Sequence, residues 1–377
     1  AYISKDSPYH SFFKFRDDDI ARWPYNDSYE GWWGHNTLPK LNYEESKQLE
    51  DYILYVAEKW LSAPYNVDGW RLDVAADLGH SPEYNHEFWR KFRNAVKEAN
   101  PNAIILAEHY GNPESWLQGD QWDTVMNYDA FMEPITWFLT GMQKHSDERR
   151  EHMKGDSTGM LNALKYHSSK MLMPSVLVAM NQLSNHDHSR FLTRTNETVG
   201  RTASLGPDAA NHGVSKAVMK EAVVMQMTLP GAPTLYYGDE AGLCGWTDPD
   251  NRRTYPWGRE DLELLEFHRD IISIHKNNIA LKRGSFVPLL EEYNLFGYGR
   301  FCLDNIVLTV INNDYVPRKV SMHVTQTGLK SEDVVERIML TSEESYNAGC
   351  LKVKIDNGKL VVELPPKSAA IYRKVVE

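Results

Sequence analysis

The stretch Val67-Asp68-Gly69-Trp70-Arg71-Leu72-Asp73-Val74-Ala75 constrains this chain more than any other. It alternates as a strand does. Trp70, Leu72 and Val74 fall on one face, and Arg71 and Asp73 fall on the other. Such a strand has two possible homes. It can lie on an open sheet with the ion pair in solvent. It can also be a barrel strand, with its apolar face under outer helices and the pair at the C-terminal mouth, where barrel enzymes keep their catalytic groups. The stretch alone does not choose between them.

The surrounding chain alternates strands with helices. Three-to-four spacing of apolar residues predicts a helix over 43–61, and Phe88, Phe92 and Val96 mark one over 86–99; further helices are expected over 214–228 and 262–275, with a longer helical region over 131–172. Ala103-Ile104-Ile105-Leu106-Ala107 is a continuous apolar run bounded by turn residues, as buried parallel strands are. Shorter strand signals lie at 124–128, 176–180 and 234–238. Repeated strand-helix units with polar residues at the strand ends belong to a parallel α/β fold. Counting gives five strands, near 69, 105, 126, 178 and 236. An eight-stranded barrel needs three more, and the loop-like first 43 residues supply none. Within that loop region Asp17-Asp18-Asp19 reads as a solvated acidic turn.

Beyond residue 282 the texture changes. Alternating stretches at 296–301, 306–311, 320–324, 351–355, 360–364 and 370–372 are separated by Asn, Asp and Gly turns. These predict an all-β domain of sandwich type. The fold class expected is therefore α/β, the C-terminal portion of a (β/α)8 barrel with about five of eight strands, followed by an all-β sandwich. The domains are expected at 1–43, 44–282 and 283–377.

The net charge of -11 argues against nucleic acid or an anionic membrane as partner. No apolar run is long enough to span a bilayer. Cys244, Cys302 and Cys350 are far apart and show neither a disulfide framework nor zinc spacing. They suit a reducing, cytoplasmic setting. His186 and His188 flank Asp187, but no further ligands stand at metal spacing.

Asp73, Glu108 and Asp187 each follow a strand candidate. With 52 Asp plus Glu in the chain, one such carboxylate means little. Their company means more. Arg71 shares a face with Asp73. Glu108 ends an apolar strand, where desolvation favours a neutral carboxyl. Asp187 adjoins His186, with Arg190 three residues on. Glycoside cleavage uses such a set: one carboxylate to attack or stabilise the anomeric carbon, and a second, protonated, to donate to the leaving oxygen.

Gly69-Trp70-Arg71-Leu72-Asp73, Ala107-Glu108 and Asn185-His186-Asp187 resemble, in order, three signature segments of the α-amylase family of glycoside hydrolases. Leu38-Pro39-Lys40-Leu41-Asn42 resembles a segment of its neopullulanase, cyclomaltodextrinase and maltogenic amylase branch. Gly119-Asp120-Gln121-Trp122-Asp123, Val125-Met126-Asn127-Tyr128, Pro230-Gly231-Ala232-Pro233 and Tyr236-Tyr237-Gly238-Asp239-Glu240 also match that branch. The resemblance implies a retaining hydrolase of α-linked glucans: maltodextrins, cyclodextrins or pullulan. It implies Asp73 as nucleophile, Glu108 as general acid and base, and Asp187 as stabiliser of the distorted sugar. Arg71, His186, Tyr110 and Arg190 would contact the substrate or the acids. No cofactor is required, and the family leaves room for a structural calcium.

Two departures stand out. Tyr110 occupies a position that is usually Trp in that branch, and Ala76-Asp77 replaces a usual Asn-Glu. Both bear on linkage preference and on transfer to an acceptor other than water. The family's first signature, an aspartate shortly before Asn-His, has no counterpart here. The resemblance therefore implies a longer parent enzyme, with this chain starting inside the protruding B segment. It also implies that a missing N-terminal half or a second copy covers the open sheet edges. The competing readings are an α-1,6-acting or transglycosylating relative, and a glucan-binding or interaction fragment without turnover.

Overall fold

The computed structural model describes residues 1–375. The chain divides into two compact units, Ala1–Val125 and Met126–Glu377.

The first unit opens with loops held by isolated bridges, Phe13 with Leu41, Phe15 with Tyr29 and Gly31 with Pro39. His10 and Phe15 stack at 5.1 Å, with Trp23 against both rings. The three carboxylates of the acidic turn all meet donors: Asp17 with Arg22, Asp18 with Lys5 and His10, and Asp19 with the Ala21 N–H. Helix α1, Lys47–Leu61, starts at Ser46, whose hydroxyl caps the Leu49 N–H. Helix α2, Pro82–Ala99, starts four residues earlier than its apolar period indicates. Ser81 caps it and Pro82 fits its first turn. Tyr84, Phe88, Trp89, Phe92 and Val96 form its buried face.

Strands β1 (Gly69–Leu72), β2 (Ile104–Ala107) and β3 (Thr124–Val125) form a parallel sheet in that order. Gly69 pairs with Ile104 and Leu72 with Ala107. A Cβ on Gly69 would stand 2.2 Å from the Ile104 carbonyl oxygen, so only glycine allows this approach. Trp70 packs edge-on against Phe92 and donates its indole N–H to the Ala57 carbonyl. The apolar face of β1 therefore lies under α1 and α2.

In the second unit Met126 bridges Met180 in parallel, and β4 (Met180–Gln182) pairs in parallel with β5 (Ala232–Thr234). Two predicted strands are displaced. Val176 and Leu177 belong to a short helix, Met173–Leu177, because Pro174 sits in its first turn, where its missing N–H costs nothing. Tyr236 and Tyr237 lie beyond β5, in a turn closed by the Asp239 N–H on the Tyr236 carbonyl. The predicted 131–172 helical region holds two α-helices, Glu133–Thr140 and Ser157–Ser168, with a single 3-10 turn, Glu151–Met153, between them. Gly141, in the left-handed region at φ +69°, ends the first. The helix Lys216–Thr228 is buried from Ala217 to its end. It packs against Leu262–Asn277 on one side and Ser368–Lys374 on another, which explains its weak apolar period.

Among the described residues nine strands follow. Six form a sheet in the order β11-β10-β14-β8-β7-β6, with β12 (Leu351–Lys354) added on β10. Here β6 is Ser285–Glu292, β7 Leu295–Cys302, β8 Asn305–Asn312, β10 Val334–Thr341, β11 Tyr346–Asn347 and β14 Ser368–Lys374. A second sheet pairs β9 (Arg318–His323) with β13 (Lys359–Leu364). Leu308, Val310, Met322, Leu360 and Ala370 share one core between the sheets, as in a sandwich. Buried Arg300 ties this region to the preceding helices. It donates to the Thr228 carbonyl at 2.7 Å and to the Gly284 carbonyl at 3.1 Å. No helix among the described residues is long and apolar enough to cross a membrane.

Asp123 locks the first unit's sheet to α2. It accepts from Arg93 at 2.7 Å, Lys97 at 2.8 Å and the Ile105 N–H at 2.9 Å. Burial raises its pKa, but the bonds from Lys97, Arg93 and Ile105 outweigh burial and hold the carboxyl below its ordinary range. A carboxyl held below its unfolded pKa of about 3.9 adds stability above that pH. It loses that contribution as pH falls through the folded value. Asp123→Asn is expected to be less stable than the parent at neutral pH, with the gap closing in acid. Denaturant titrations followed by circular dichroism check this; a gap that stays constant into strong acid contradicts it.

Candidate active site

In the first unit, Arg71, Asp73 and Glu108 come together. Arg71 leaves β1 on the face opposite Trp70. Its Nη1 lies 2.8 Å from Asp73 Oδ2, and its Nη2 lies 3.1 Å from Glu108 Oε2. The β1–β2 register makes this possible: Leu72 stands opposite Ala107, and the Glu108 N–H donates to the Leu72 carbonyl at 2.8 Å. Glu108 is buried, whereas the Asp73 side chain is 78% exposed. One guanidinium thus joins a sheltered acid to an open one.

The strand does not run on through Val74, as strict alternation predicts. Val74 adopts φ 34°, ψ 49°, a left-handed conformation that a β-branched residue rarely takes. That turn aims its N–H at Glu108 Oε2, 3.0 Å away. Glu108 therefore accepts from two donors on either side of Asp73. The turn is held from behind by α2. Asn85 Nδ2 donates to the carbonyls of Ala75, Ala76 and Leu78, and the Trp89 indole donates to the Ala75 carbonyl at 2.9 Å. Sequence reasoning missed Asn85, because the apolar period starts the helix at residue 86 and leaves Asn85 in the loop before it. Asp77 Oδ2 accepts both indole N–H groups of Trp32 and Trp33, at 2.8 and 3.2 Å. Tyr110 is 42% exposed, and His109 packs against Trp116 and Trp122.

In the second unit, Asn185 builds the loop that carries His186 and Asp187. Its Oδ1 accepts the N–H groups of Asp187 and His188. Asn251 Nδ2 donates to the carbonyls of Asn185 and His188, and the Thr247 hydroxyl donates to the Asp187 carbonyl. Both the His186 and Asp187 side chains reach solvent, with His186 Nε2 3.5 Å from Asp187 Oδ1. Arg252 was not singled out from the sequence. Its Nε donates to the His186 carbonyl at 3.0 Å, and its Nη2 lies 3.8 Å from Asp187 Oδ1. His188 is a packing group, edge-on to Tyr128 and His145, and burial pushes its pKa down to about 2. Among the described residues, no three His, Cys, Asp or Glu side chains stand where they could hold a metal ion.

Arg190 departs from the expected contact with sugar. It is fully buried. Its Nη1 donates to the Tyr237 carbonyl at 2.8 Å and to Asp239 Oδ1 at 3.0 Å, and its Nε donates to the Asn251 carbonyl. The rings of Tyr236 and Tyr237 lie 4.4 and 4.9 Å from its guanidinium carbon. A guanidinium enclosed on all sides cannot reach a ligand; Arg190 is a positioning residue for the loop. Arg190→Met would leave Asp239 buried without its cation, a loss of about 3–5 kcal/mol. Urea unfolding checks this, and Arg190→Met combined with Asp239→Leu is expected to recover part of the loss. Full stability in the single variant would contradict the assignment.

The family model described as the α-amylase catalytic domain matches residues 3–349. The chain is 34% identical over 326 residues to a cyclomaltodextrinase of Thermoanaerobacter pseudethanolicus, covering 81% of this chain and 50% of that protein. It is 32% identical over 304 residues to neopullulanase 2 of Thermoactinomyces vulgaris, covering 78% and 44%. It is 30% identical over 389 residues to an amylopullulanase of Thermoanaerobacterium thermosulfurigenes, covering 97% of this chain and 20% of that one. The chain thus spans half or less of these three relatives. Among solved structures, the debranching enzyme of Nostoc punctiforme superposes with a TM-score of 0.77 at 26% identity, covering 97% of this chain and 70% of that chain. With the family match spanning most of its length, the chain belongs to the α-amylase family.

Proposed function

We propose that the protein is a retaining glycoside hydrolase that cleaves α-1,4-glucosidic bonds in maltodextrins, cyclodextrins or pullulan. The observation that carries this reading is the single Arg71 guanidinium bound to both Asp73 and Glu108. A link through one guanidinium is compatible with the roughly 5–5.5 Å carboxyl separation of retaining enzymes. In this reading Glu108 protonates the glycosidic oxygen as Asp73 attacks the anomeric carbon, and the leaving sugar departs with that proton. Glu108 then takes a proton from water, and the water oxygen displaces Asp73 from the anomeric carbon. Asp187 stabilises the positive charge that develops on the sugar, and His186 binds sugar hydroxyls. Tyr110 offers an exposed ring to the acceptor side. No cofactor enters these steps.

The same reading takes the five parallel strands as part of an eight-stranded barrel, with domains at 1–43, 44–282 and 283–377. Its support is that β1 and β5 each pair with a single neighbour among the described residues. The remaining strands then come from further sequence or from a second copy. A cytoplasmic setting fits the three free thiols. Its likeness to an amylopullulanase and to a debranching enzyme keeps α-1,6 cleavage as a second reading.

Asp73→Asn and Glu108→Gln are each expected to lower hydrolysis of maltoheptaose by about 10³-fold or more. The first-formed reducing sugar, read by proton NMR before mutarotation, is expected as the α anomer. An Asp73→Asn enzyme with the parent rate would sink the mechanism. A β anomer would reject retention while keeping hydrolysis. Products from pullulan separate α-1,4 from α-1,6 cleavage. A chain that binds glucan without turning it over would favour the non-catalytic reading.

A further inference from the structure

The loop that braces Asp187 carries, at its far end, a feature that none of the preceding roles uses. Trp257 is 80% exposed. Its ring centroid lies 4.4 Å from that of Tyr255, tilted by 49°. Large aromatics are normally withdrawn from water, so a preformed exposed pair calls for a reason.

The pair is fixed by its own backbone. Pro256 stands between the two rings and limits both its own φ and the conformation of Tyr255. The Trp257 N–H donates to the Tyr255 carbonyl at 2.9 Å, closing a three-residue turn on the proline. The Arg259 N–H then donates to the Pro256 carbonyl at 2.8 Å. The Tyr237 hydroxyl donates to the Arg253 carbonyl at 2.7 Å, and Tyr237 itself rests on buried Arg190. A ring held in this way loses little freedom when a ligand settles on it.

The loop also indicates which ligand this is. The segment begins on the His186–Asp187 turn. The Asp248 N–H donates to the Asp187 carbonyl, and Arg252 donates to the His186 carbonyl. Trp257 is five residues past Arg252, at most about 18 Å along an extended chain. We propose that Tyr255 and Trp257 form a stacking platform for a glucose unit of a bound α-glucan, at a subsite remote from the reacting bond. This rests on the reading of the protein as α-glucan-acting. The apolar faces of a glucose ring match an indole and a phenol ring, and a linear glucan supplies such faces along its length.

The test is a binding measurement with turnover suppressed. Maltoheptaose is titrated into the Asp73→Asn chain by calorimetry, alone and combined with Trp257→Ala, Trp257→Phe or Tyr255→Ala. Removing either ring is expected to weaken binding about three- to tenfold, while Trp257→Phe, which keeps a face, loses less. Ligand quenching of tryptophan fluorescence should shrink in Trp257→Phe. Circular dichroism confirms that each variant is folded. Equal affinity in Trp257→Ala, equal losses in Trp257→Ala and Trp257→Phe, or no maltoheptaose binding by the parent would each overturn the platform. The outcomes separate the two claims. Unchanged hydrolysis in Asp73→Asn defeats the catalytic assignment and leaves the platform standing. Unchanged affinity in Trp257→Ala does the reverse.

Discussion

The first unit depends on the register of two short parallel strands. With Leu72 opposite Ala107, the Arg71 side chain and the Glu108 carboxylate emerge beside each other, and the guanidinium bridges Glu108 to Asp73. A slip by one residue would turn Arg71 to the face that Trp70 now occupies under the helices. Gly69 guards that register, because any side chain there would collide with Ile104. The strained Val74 then ends the strand and leaves the Asp73 carboxylate open to solvent.

The second unit solves a related problem by different means. Its acidic loop follows a strand of three residues, too short to orient anything by pairing alone. Buried polar side chains replace the missing ladder. Asn185 and Asn251 hold the turn through its own carbonyls and N–H groups, and Arg190 locks Tyr237, Asp239 and Asn251 behind it. Buried charges of this kind are poor sources of net stability, but they restrict a loop to one conformation. The aromatic pair at Tyr255 and Trp257 inherits its rigidity from the same network.

Much of this was legible in the chain. Alternation around Arg71 and Asp73, the apolar run before Glu108 and the strand-helix order pointed to a parallel α/β fold, and the later alternation pointed to a sandwich. What was misread has physical causes. Pro174 turned an apolar run into a helix start, and Gly141 broke a long helical period. Strands β6 and β10 escaped notice because Pro288 interrupts one, and Glu336 and Arg337 interrupt the other. Arg190 looked like a ligand contact because proximity in sequence says nothing of which way a long side chain turns.

Residue order by itself singled out the groups proposed to carry the chemistry: one arginine, two acids at the ends of neighbouring strands, and a His-Asp pair on a polar loop. The side-chain period of two along a strand put Arg71 and Asp73 on one face, and the family resemblance supplied the expected roles. Only the tertiary structure decided that Arg71 serves both acids, that Asn85 and Arg190 are scaffolding, and that Trp257 stands in water. The reach of Arg71 to Glu108 and of Arg190 to Asp239 joins residues far apart in the chain, and no local period encodes such contacts.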